Sequence, residues 1–231
     1  MKRLLLIWTL TLTCSGFGQS FDHSLLNDFL NKYVSETGLV DYQSISPKEL
    51  NPVLNQFVKV APDSTWSTNE KLSYWINAYN IFTIKLIVDH YPIKSIKDIN
   101  EPWYTRFIPI DGKLYSLNEI EHDIIRSMNE PRIHFALVCA AASCPRLYNK
   151  SFTNENLDDV LTMLTKEFLA DRNKNTISEN EIEISKIFQW FRADFKTEEQ
   201  TLIDFLNLYS SVEISPKAKI KFKVYNWDLN E

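Results

Sequence analysis

The chain contains little glycine, and this scarcity excludes one class of ligand site. It has four glycines in 231 residues, and three of them precede position 40. Gly112 therefore stands alone in the rest of the sequence, whereas a phosphate-binding loop needs several glycines at close spacing. The sequence consequently predicts no glycine-rich phosphate loop.

An excess of basic residues is also lacking. The 25 lysines and arginines are outnumbered by 30 aspartates and glutamates, which gives a formal net charge of −5 at pH 7. A chain this acidic repels the phosphates of nucleic acid, so nucleic acid is not an expected partner. The expected ligand is a small molecule or a peptide-like compound. We expect no cofactor, and the sequence predicts no particular oligomeric state.

Apolar runs long enough to cross a membrane are missing beyond the N-terminus. Residues 4–12 are apolar but too short for a stable anchor, and they follow two basic residues and precede small residues near Gly18. This pattern is typical of a secretion signal, which we predict over residues 1–20. We expect export to the periplasm or the extracellular space, and a lipid anchor at Cys14 is the alternative.

Helical periodicity dominates the first half of residues 21–231, and strand-like alternation becomes frequent later. The predicted helices cover residues 22–35, 47–60, 67–90, 116–128, 153–170 and 197–209, and capping boxes begin the third and fourth at Ser67 and Ser116. The predicted strands lie within 106–115, 132–139, 176–184 and 217–224. We expect hairpin turns at Asp111-Gly112 and at Glu179-Asn180, and one apolar face formed by Ile220, Phe222 and Val224. The helix over 67–90 is apolar nearly all round, which is typical of burial on most sides. We therefore predict one α+β domain over residues 21–231, in which a buried central helix and flanking helices pack on a small, largely antiparallel sheet.

Cysteine is scarce as well, because only Cys139 and Cys144 remain after the predicted signal. Both lie in a small-residue turn that follows the predicted strand over 132–139. We expect Pro145 to open a helix with Cys144 as its cap, where the free N–H groups would favour a thiolate and stabilise an oxyanion. Cys144 is therefore the candidate nucleophile. A disulfide with Cys139 or a merely packed thiol remains the alternative.

Two histidines could supply a base for this thiol. His122 lies on the predicted helix over 116–128, whose first turns would lie near Cys144 if the helix packs antiparallel to the next strand. His134 starts that strand, so the following turn would have to fold back to bring it to the thiol. Either histidine could instead be an ordinary packed or exposed imidazole. A metal site made of these histidines, Cys144 and Glu121 fits no common zinc spacing.

Four further polar residues complete the candidate site. Glu121 falls within the apolar stripe of its helix, so it either forms a buried ion pair or acts as an acid, a base or an orienter of a histidine. Asn77 and Asn80 share one face of the central helix, where they either tie loops to the core or bind substrate. Arg146 adds positive charge beside Cys144 and is a candidate substrate contact.

Several short motifs together carry a family resemblance. They are Trp75 to Asn80, Ile110 to Gly112, Ser116-Leu117, Ile120 to His122 with Arg126, Pro131 to Leu137, Ser143 to Pro145, Ile187 to Phe191 with Asp194-Phe195, and Tyr225 to Asn230. On these motifs the chain resembles the domain of unknown function 547 family from about position 30 onward. The family occurs in exported bacterial proteins and in plant proteins, and the resemblance implies no established activity.

A remote kinship of that family to papain-like and transglutaminase-like folds implies a thiol site with a histidine and a polar partner. The central helix departs from this pattern, because Asn77 and no cysteine lies where a papain-like nucleophile would be. This departure argues against a simple papain-like protease. From Cys144, the two histidines and Glu121 we expect a thiol-dependent hydrolase or acyl transferase acting on peptide-like amides, with Cys144 as nucleophile. The alternative is a non-catalytic binding or scaffold domain in which the same polar residues form a structural network.

Overall fold

The computed structural model describes residues 21–231, and the predicted signal over 1–20 with Cys14 lies outside the described residues. The α+β prediction is confirmed, because helices precede and surround two small sheets in one domain. The helices are α1 (Ser24–Tyr33), α2 (Pro47–Lys59), α3 (Thr68–His90), α4 (Leu157–Ala170), α5 (Ile187–Trp190) and α6 (Leu202–Tyr209), and the strands are β1 (Ile108–Ile110), β2 (Lys113–Tyr115), β3 (Thr176–Ile177), β4 (Glu181–Ile184) and β5 (Lys219–Phe222).

The central helix α3 is buried as predicted. It begins at a capping box, in which the backbone N–H of Glu70 donates to the Ser67 hydroxyl and the Ser67 N–H donates to the Glu70 carboxylate. Every side chain from Leu72 to Ile84 is buried, so the helix has no solvent-exposed face over most of its length. Because α3 is enclosed, its polar residues must find hydrogen-bond partners inside the protein.

The two sheets are small. Strands β1 and β2 form the predicted hairpin around Asp111 and Gly112, whose φ angles of 52° and 69° suit a tight two-residue turn. Strand β4 pairs antiparallel with β3 and parallel with β5. The β3–β4 hairpin is therefore as predicted, and the parallel β5 is the exception to an otherwise antiparallel arrangement.

The C-terminal tail follows the predicted alternation only within β5. Lys219 and Lys221 are exposed there, while Ile220 and Phe222 are half-buried. Val224, expected on the same apolar face, is 90% exposed. The reason is that the strand ends at Phe222, so the period of two no longer decides which side chains face the core.

The strand predicted over 132–139 is wrong. Residues Pro131–Phe135 form a 3-10 helix, and the chain continues irregularly to Cys139. Pro131 suits the first turn of a helix, and the Glu130 side chain accepts a hydrogen bond from the Arg132 N–H to cap that turn. A short apolar run is buried equally well as a helical turn or as a strand, so the pattern alone could not distinguish the two.

The helix expected after Pro145 is also absent. The Cys144 N–H donates to the Ala141 carbonyl in a turn, and the chain from Pro145 to Tyr148 is irregular. The C-terminal tail explains this conformation, because its backbone pairs with the residues just before Cys144 and holds them in a bent loop. Cys144 is consequently not a helix cap.

Two helices begin later than predicted. Helix α4 begins at Leu157 because the Thr153 hydroxyl accepts from the Asn156 N–H in a separate preceding turn. Helix α6 likewise begins at Leu202, with its capping box at Thr201, whereas the Thr197 hydroxyl caps an isolated turn. Threonine caps both turns and helices, which is why the predicted boundaries were early. No helix within residues 21–231 is long and apolar enough to cross a membrane.

Candidate functional site

A cavity of about 230 Å³ lies between α3, the helical segment 117–128, the loop around Cys144 and the C-terminal tail. Cys144, Glu121, His122 and His134 all line it, so the structure brings the four predicted catalytic residues to one place. The remaining walls are mostly aromatic and include Trp103, Trp190, Phe191, Tyr225 and Trp227. A concave apolar space with a few polar groups is the usual form of a small-molecule site.

Two sulfur atoms lie side by side at this cavity. Cys139 and Cys144 are both free thiols, and their Sγ atoms are 2.8 Å apart. The Cys144 Sγ also accepts hydrogen bonds from the Cys139 backbone N–H and from the Tyr225 hydroxyl, each at 3.2 Å. Two donors and a second sulfur therefore surround the Cys144 sulfur.

These donors decide which thiol ionises first. Burial raises the pKa of Cys144, but the hydrogen bonds from the Cys139 thiol, the Tyr225 hydroxyl and the backbone outweigh burial and bring that pKa below its ordinary value. The hydrogen bond to Cys144, followed by burial, raises the pKa of Cys139 well above its ordinary value. Of the two thiols, Cys144 therefore ionises first, and Cys139 retains its proton to higher pH.

The loop that carries the thiols is held by the C-terminal tail. The Ala142 N–H donates to the Asp228 carbonyl at 2.7 Å, and the Asn226 N–H donates to the Ser143 hydroxyl at 2.8 Å. Between the two cysteines, Ala140 has a φ of 57°, in the left-handed region that costs a residue with a Cβ about 1 kcal/mol. The tail contacts offset this strain and fix the direction of the Cys144 side chain.

The amides of Asn77 and Asn80 do not line the cavity. Asn80 donates to the Ala136 carbonyl at 2.8 Å and accepts from the Val138 N–H at 3.0 Å, which ties the segment before Cys139 to α3. Asn77 makes the same pair of bonds with the backbone of Phe152, at 2.8 and 3.0 Å. Both side chains thus hold loops against the core.

Glu121 lies on an unusual turn of helix. The segment Glu119–Ile125 is a π-helix that begins after a capping box between Ser116 and Glu119, and such widened turns are frequent at functional sites. Desolvation raises the pKa of Glu121 to about 7, although the Tyr79 hydroxyl, which donates to its Oε2 at 3.1 Å, opposes this shift. The carboxyl is therefore divided between its protonated and ionised forms near neutral pH.

His134 belongs to a network with an aspartate and an arginine. Its Nε2 is 2.8 Å from Asp194 Oδ2, and its ring stacks on Phe191 with 4.1 Å between centroids. Asp194 also accepts two hydrogen bonds from Arg126, at 2.6 and 2.7 Å. Burial lowers the pKa of His134 despite this carboxylate, so the imidazole is neutral, donates from Nε2 and keeps a lone pair on Nδ1.

His122 and Arg146 are placed differently from His134. His122 is exposed, contacts Arg126 through its Nδ1, and has a pKa lowered by desolvation and by that arginine. Arg146 lies outside the cavity and donates to Glu167 at 2.6 Å. Among the described residues, no hydrogen bond joins a histidine to either sulfur. Within residues 21–231 no three potential metal ligands converge.

Three residues of the site were not identified from sequence reasoning about chemistry. Tyr225 donates to the thiol, Tyr79 donates to Glu121, and Asp194 binds His134. All three occur in motifs that carry the family resemblance, so those motifs contained the available signal. Their partners are 81, 42 and 60 positions away along the chain, a separation at which local pattern reveals no contact.

The fold and site define an α+β domain with a thiol-bearing aromatic cavity. Residues 64–169 match the model of the family described as Protein of unknown function, DUF547, so the predicted resemblance to this family is confirmed. The matched segment includes Glu121, His134 and both cavity thiols, and it ends before Asp194 and Tyr225. The comparison with curated proteins and the comparison with solved structures each found no match.

Proposed function

We propose that this chain is an exported, thiol-dependent hydrolase or acyl transferase that acts on peptide-like amides. The observation that carries the proposal is the Cys144 sulfur, which accepts hydrogen bonds from a phenol and a backbone N–H and lies beside a cavity shared with Glu121 and His134. A sulfur stabilised as a thiolate is a competent nucleophile towards a carbonyl carbon.

Glu121 suits the role of the proton carrier. In the first step the Cys144 sulfur bonds to the carbonyl carbon, the carbon–nitrogen bond breaks, and protonated Glu121 gives its proton to the leaving amine. Water or an acceptor amine then attacks the thioester, ionised Glu121 takes up the proton, and the thiolate is released. A pKa of about 7 allows both transfers near neutral pH. Neutral His134 offers Nδ1 as a second acceptor.

The shape of the cavity restricts the acyl group. A volume of about 230 Å³ lined by Trp103, Trp190 and Trp227 accommodates one apolar or aromatic side chain beside the thiol, and the rest of a peptide-like substrate would remain outside. Cell-wall peptides and secreted peptides are amides that an exported enzyme would meet. Asn77, Asn80 and Arg146 would then contribute by supporting the loops that border the cavity, rather than by touching the reacting atoms.

An activated acyl ester such as p-nitrophenyl acetate tests the proposal. We expect the protein to release nitrophenol and to carry a transient acetyl adduct that peptide mapping assigns to Cys144. Cys144→Ser should lower this release by about a hundredfold or more, because a serine hydroxyl is a far weaker nucleophile without a base in hydrogen-bond contact. Cys139→Ser is the matched control and should still form the adduct. No adduct, or one that survives Cys144→Ser, would refute the proposal.

A binding or scaffold domain is the second candidate. It is favoured by the hydrogen bonds of Asn77, Asn80 and His134 to groups within the protein, which are typical of a structural network. Under this alternative the aromatic cavity binds a ligand without reaction. Protection of the protein from thermal unfolding by a peptide-like compound, with no acylation of Cys144, would support it over the enzyme.

A further inference from the structure

The Cys139 thiol, which accompanies Cys144, is neither the nucleophile nor the proton carrier of the acyl-transfer scheme. Cys139 is half-buried, lines the same cavity, and holds its sulfur 2.8 Å from the Cys144 sulfur. The sulfur atoms of a disulfide are about 2.05 Å apart, so closure of a bond requires a displacement of less than about 1 Å. Among the described residues these are the only cysteines, and both are reduced.

We propose that Cys139 and Cys144 form a redox-active dithiol that exchanges with low-molecular-weight disulfides, in which Cys144 attacks and Cys139 resolves. The Cys144 thiolate bonds to one sulfur of the oxidant, the oxidant's sulfur–sulfur bond breaks, and one thiolate leaves. Cys139 then loses its proton to a departing thiolate, bonds to the Cys144 sulfur and expels the second thiolate. Two protein thiols are oxidised by two electrons, and one external disulfide is reduced to two thiols.

The order of the two cysteines follows from their surroundings. The Cys144 sulfur accepts from Tyr225 at 3.2 Å and from the Cys139 backbone N–H, whereas the Cys139 sulfur is 3.7 Å from the Tyr225 hydroxyl. The attacking sulfur in thiol–disulfide exchange is the one that is ionised. Although Cys139 is the more exposed of the two, its retained proton makes it the later participant.

The loop geometry favours rapid resolution. The tail holds Ala141, Ala142 and Ser143 through backbone contacts with Leu229, Asp228 and Asn226. A mixed disulfide on Cys144 would therefore remain beside Cys139 instead of swinging into solvent, which raises the effective concentration of the resolving thiol. Exchange would also remove the nucleophile of the proposed hydrolase, although the redox chemistry does not depend on that function.

Oxidised glutathione is a suitable probe, with intact mass measurement and peptide mapping as the readout. The unmodified protein should lose two hydrogens and accumulate little glutathione adduct, because Cys139 resolves the adduct as it forms. Cys139→Ser should instead accumulate one stable glutathione adduct on Cys144. Cys144→Ser should react at Cys139 at least about tenfold more slowly, since that thiol lacks the donors that stabilise a thiolate.

Limiting iodoacetamide gives an independent reading in the unmodified chain, in which Cys144 should be alkylated before Cys139. Preferential labelling of Cys139, or two stable glutathione adducts on the unmodified protein without an internal disulfide, would overturn the proposal. The result is separable from the acyl-transfer test. A protein that forms the internal disulfide but never carries an acetyl group retains the dithiol and loses only the hydrolase.

Discussion

Two sets of polar side chains in this domain differ in the groups to which they bond and in whether they line the cavity. Asn77 and Asn80 each use both a donor and an acceptor on the backbone of a loop. Glu121 accepts from Tyr79 alone among the described side chains, and the Cys144 sulfur accepts from the Tyr225 hydroxyl and the Cys139 N–H. The asparagines bond to loop backbone and do not line the cavity, whereas Glu121 and Cys144 do line it.

This contrast separates residues that hold the fold from residues that could react. A buried amide with both bonds made is stable and chemically inert. A carboxyl and a thiol whose pKa values are moved towards neutrality, by desolvation in one case and by donated hydrogen bonds in the other, change protonation state under ordinary conditions. The site therefore lies where titratable groups line the cavity, and the two amides position loops.

Asn80→Ala should show the largest effect of this comparison. It removes two hydrogen bonds and leaves the Ala136 carbonyl and the Val138 N–H buried without their partner, which should cost about 3 kcal/mol of unfolding free energy. Denaturant titration measures the loss. Asn154→Ala is the matched control, because Asn154 is exposed and should change stability by less than about 0.5 kcal/mol. Equal losses of unfolding free energy in Asn80→Ala and Asn154→Ala would contradict a structural role for the Asn80 hydrogen bonds.

Glu121→Gln should change how stability depends on pH. The folded pKa of about 7 lies above the ordinary 4.5. Below pH 4.5 the carboxyl is neutral in both states and its burial costs no stability. The unfolding free energy of the wild-type protein then falls as the pH rises from 4.5 through 7. The neutral amide avoids this loss, so the variant should match the wild type near pH 5 and exceed it by about 2 kcal/mol near pH 8.

Glu119→Gln is the control for this pH effect. The Arg106 guanidinium lowers the pKa of Glu119 below 4.5, so its contribution to stability is complete above that pH and is lost only in acid. This variant should leave the slope between pH 5 and 8 unchanged. A wild-type slope that persists in Glu121→Gln would show that another group is responsible.

Tyr225→Phe should destabilise the Cys144 thiolate while it keeps the aromatic ring in the cavity wall. Loss of the hydroxyl that donates to the Cys144 sulfur should raise the pKa of that thiol by about one unit, which corresponds to about 1.4 kcal/mol. The pH profile of Cys144 alkylation should shift upward by this amount. Tyr104→Phe removes a hydroxyl from an exposed tyrosine of the same cavity and should produce no shift. A shift of equal size in both variants would exclude a specific bond.

Substitution of the two histidines should give the smallest difference in unfolding free energy. His122 is exposed, so His122→Gln should change the unfolding free energy by less than about 0.5 kcal/mol. His134 is 4% exposed, stacked on Phe191 and bonded to Asp194, so His134→Gln should cost more, about 1 to 2 kcal/mol. Thermal unfolding of the two variants side by side measures the order, and a reversed order would contradict the network around Asp194.

Local pattern predicted the parts of this fold that local energetics control. The capping boxes at Ser67 and Ser116, the burial of α3 and the turn at Gly112 depend on residues within a few positions of one another. The conformation of the Cys144 loop was predicted wrongly, because contacts with residues more than 80 positions away hold it. Long-range partners leave no periodic signal in a single sequence.

The candidate site likewise has a part that the sequence predicts and a part that depends on long-range contacts. Cys144, Glu121 and His134 were identified from residue type and position, and the structure brings them to one cavity. The predicted helix cap at Cys144 is nevertheless wrong, since its sulfur accepts hydrogen bonds from Tyr225 and the Cys139 N–H rather than from a helix N-terminus. Chemistry-bearing residues can therefore be found before the groups that tune them.

Thiolate absorbance during a pH titration tests the central claim most directly, with Cys144→Ser as the reference. The account predicts that the native protein gains the absorbance of one thiolate with an apparent pKa below the ordinary thiol value of about 8.5, and that Cys144→Ser lacks this transition. A native protein in which no thiolate forms until well above that pH, or one whose transition survives Cys144→Ser, would contradict it.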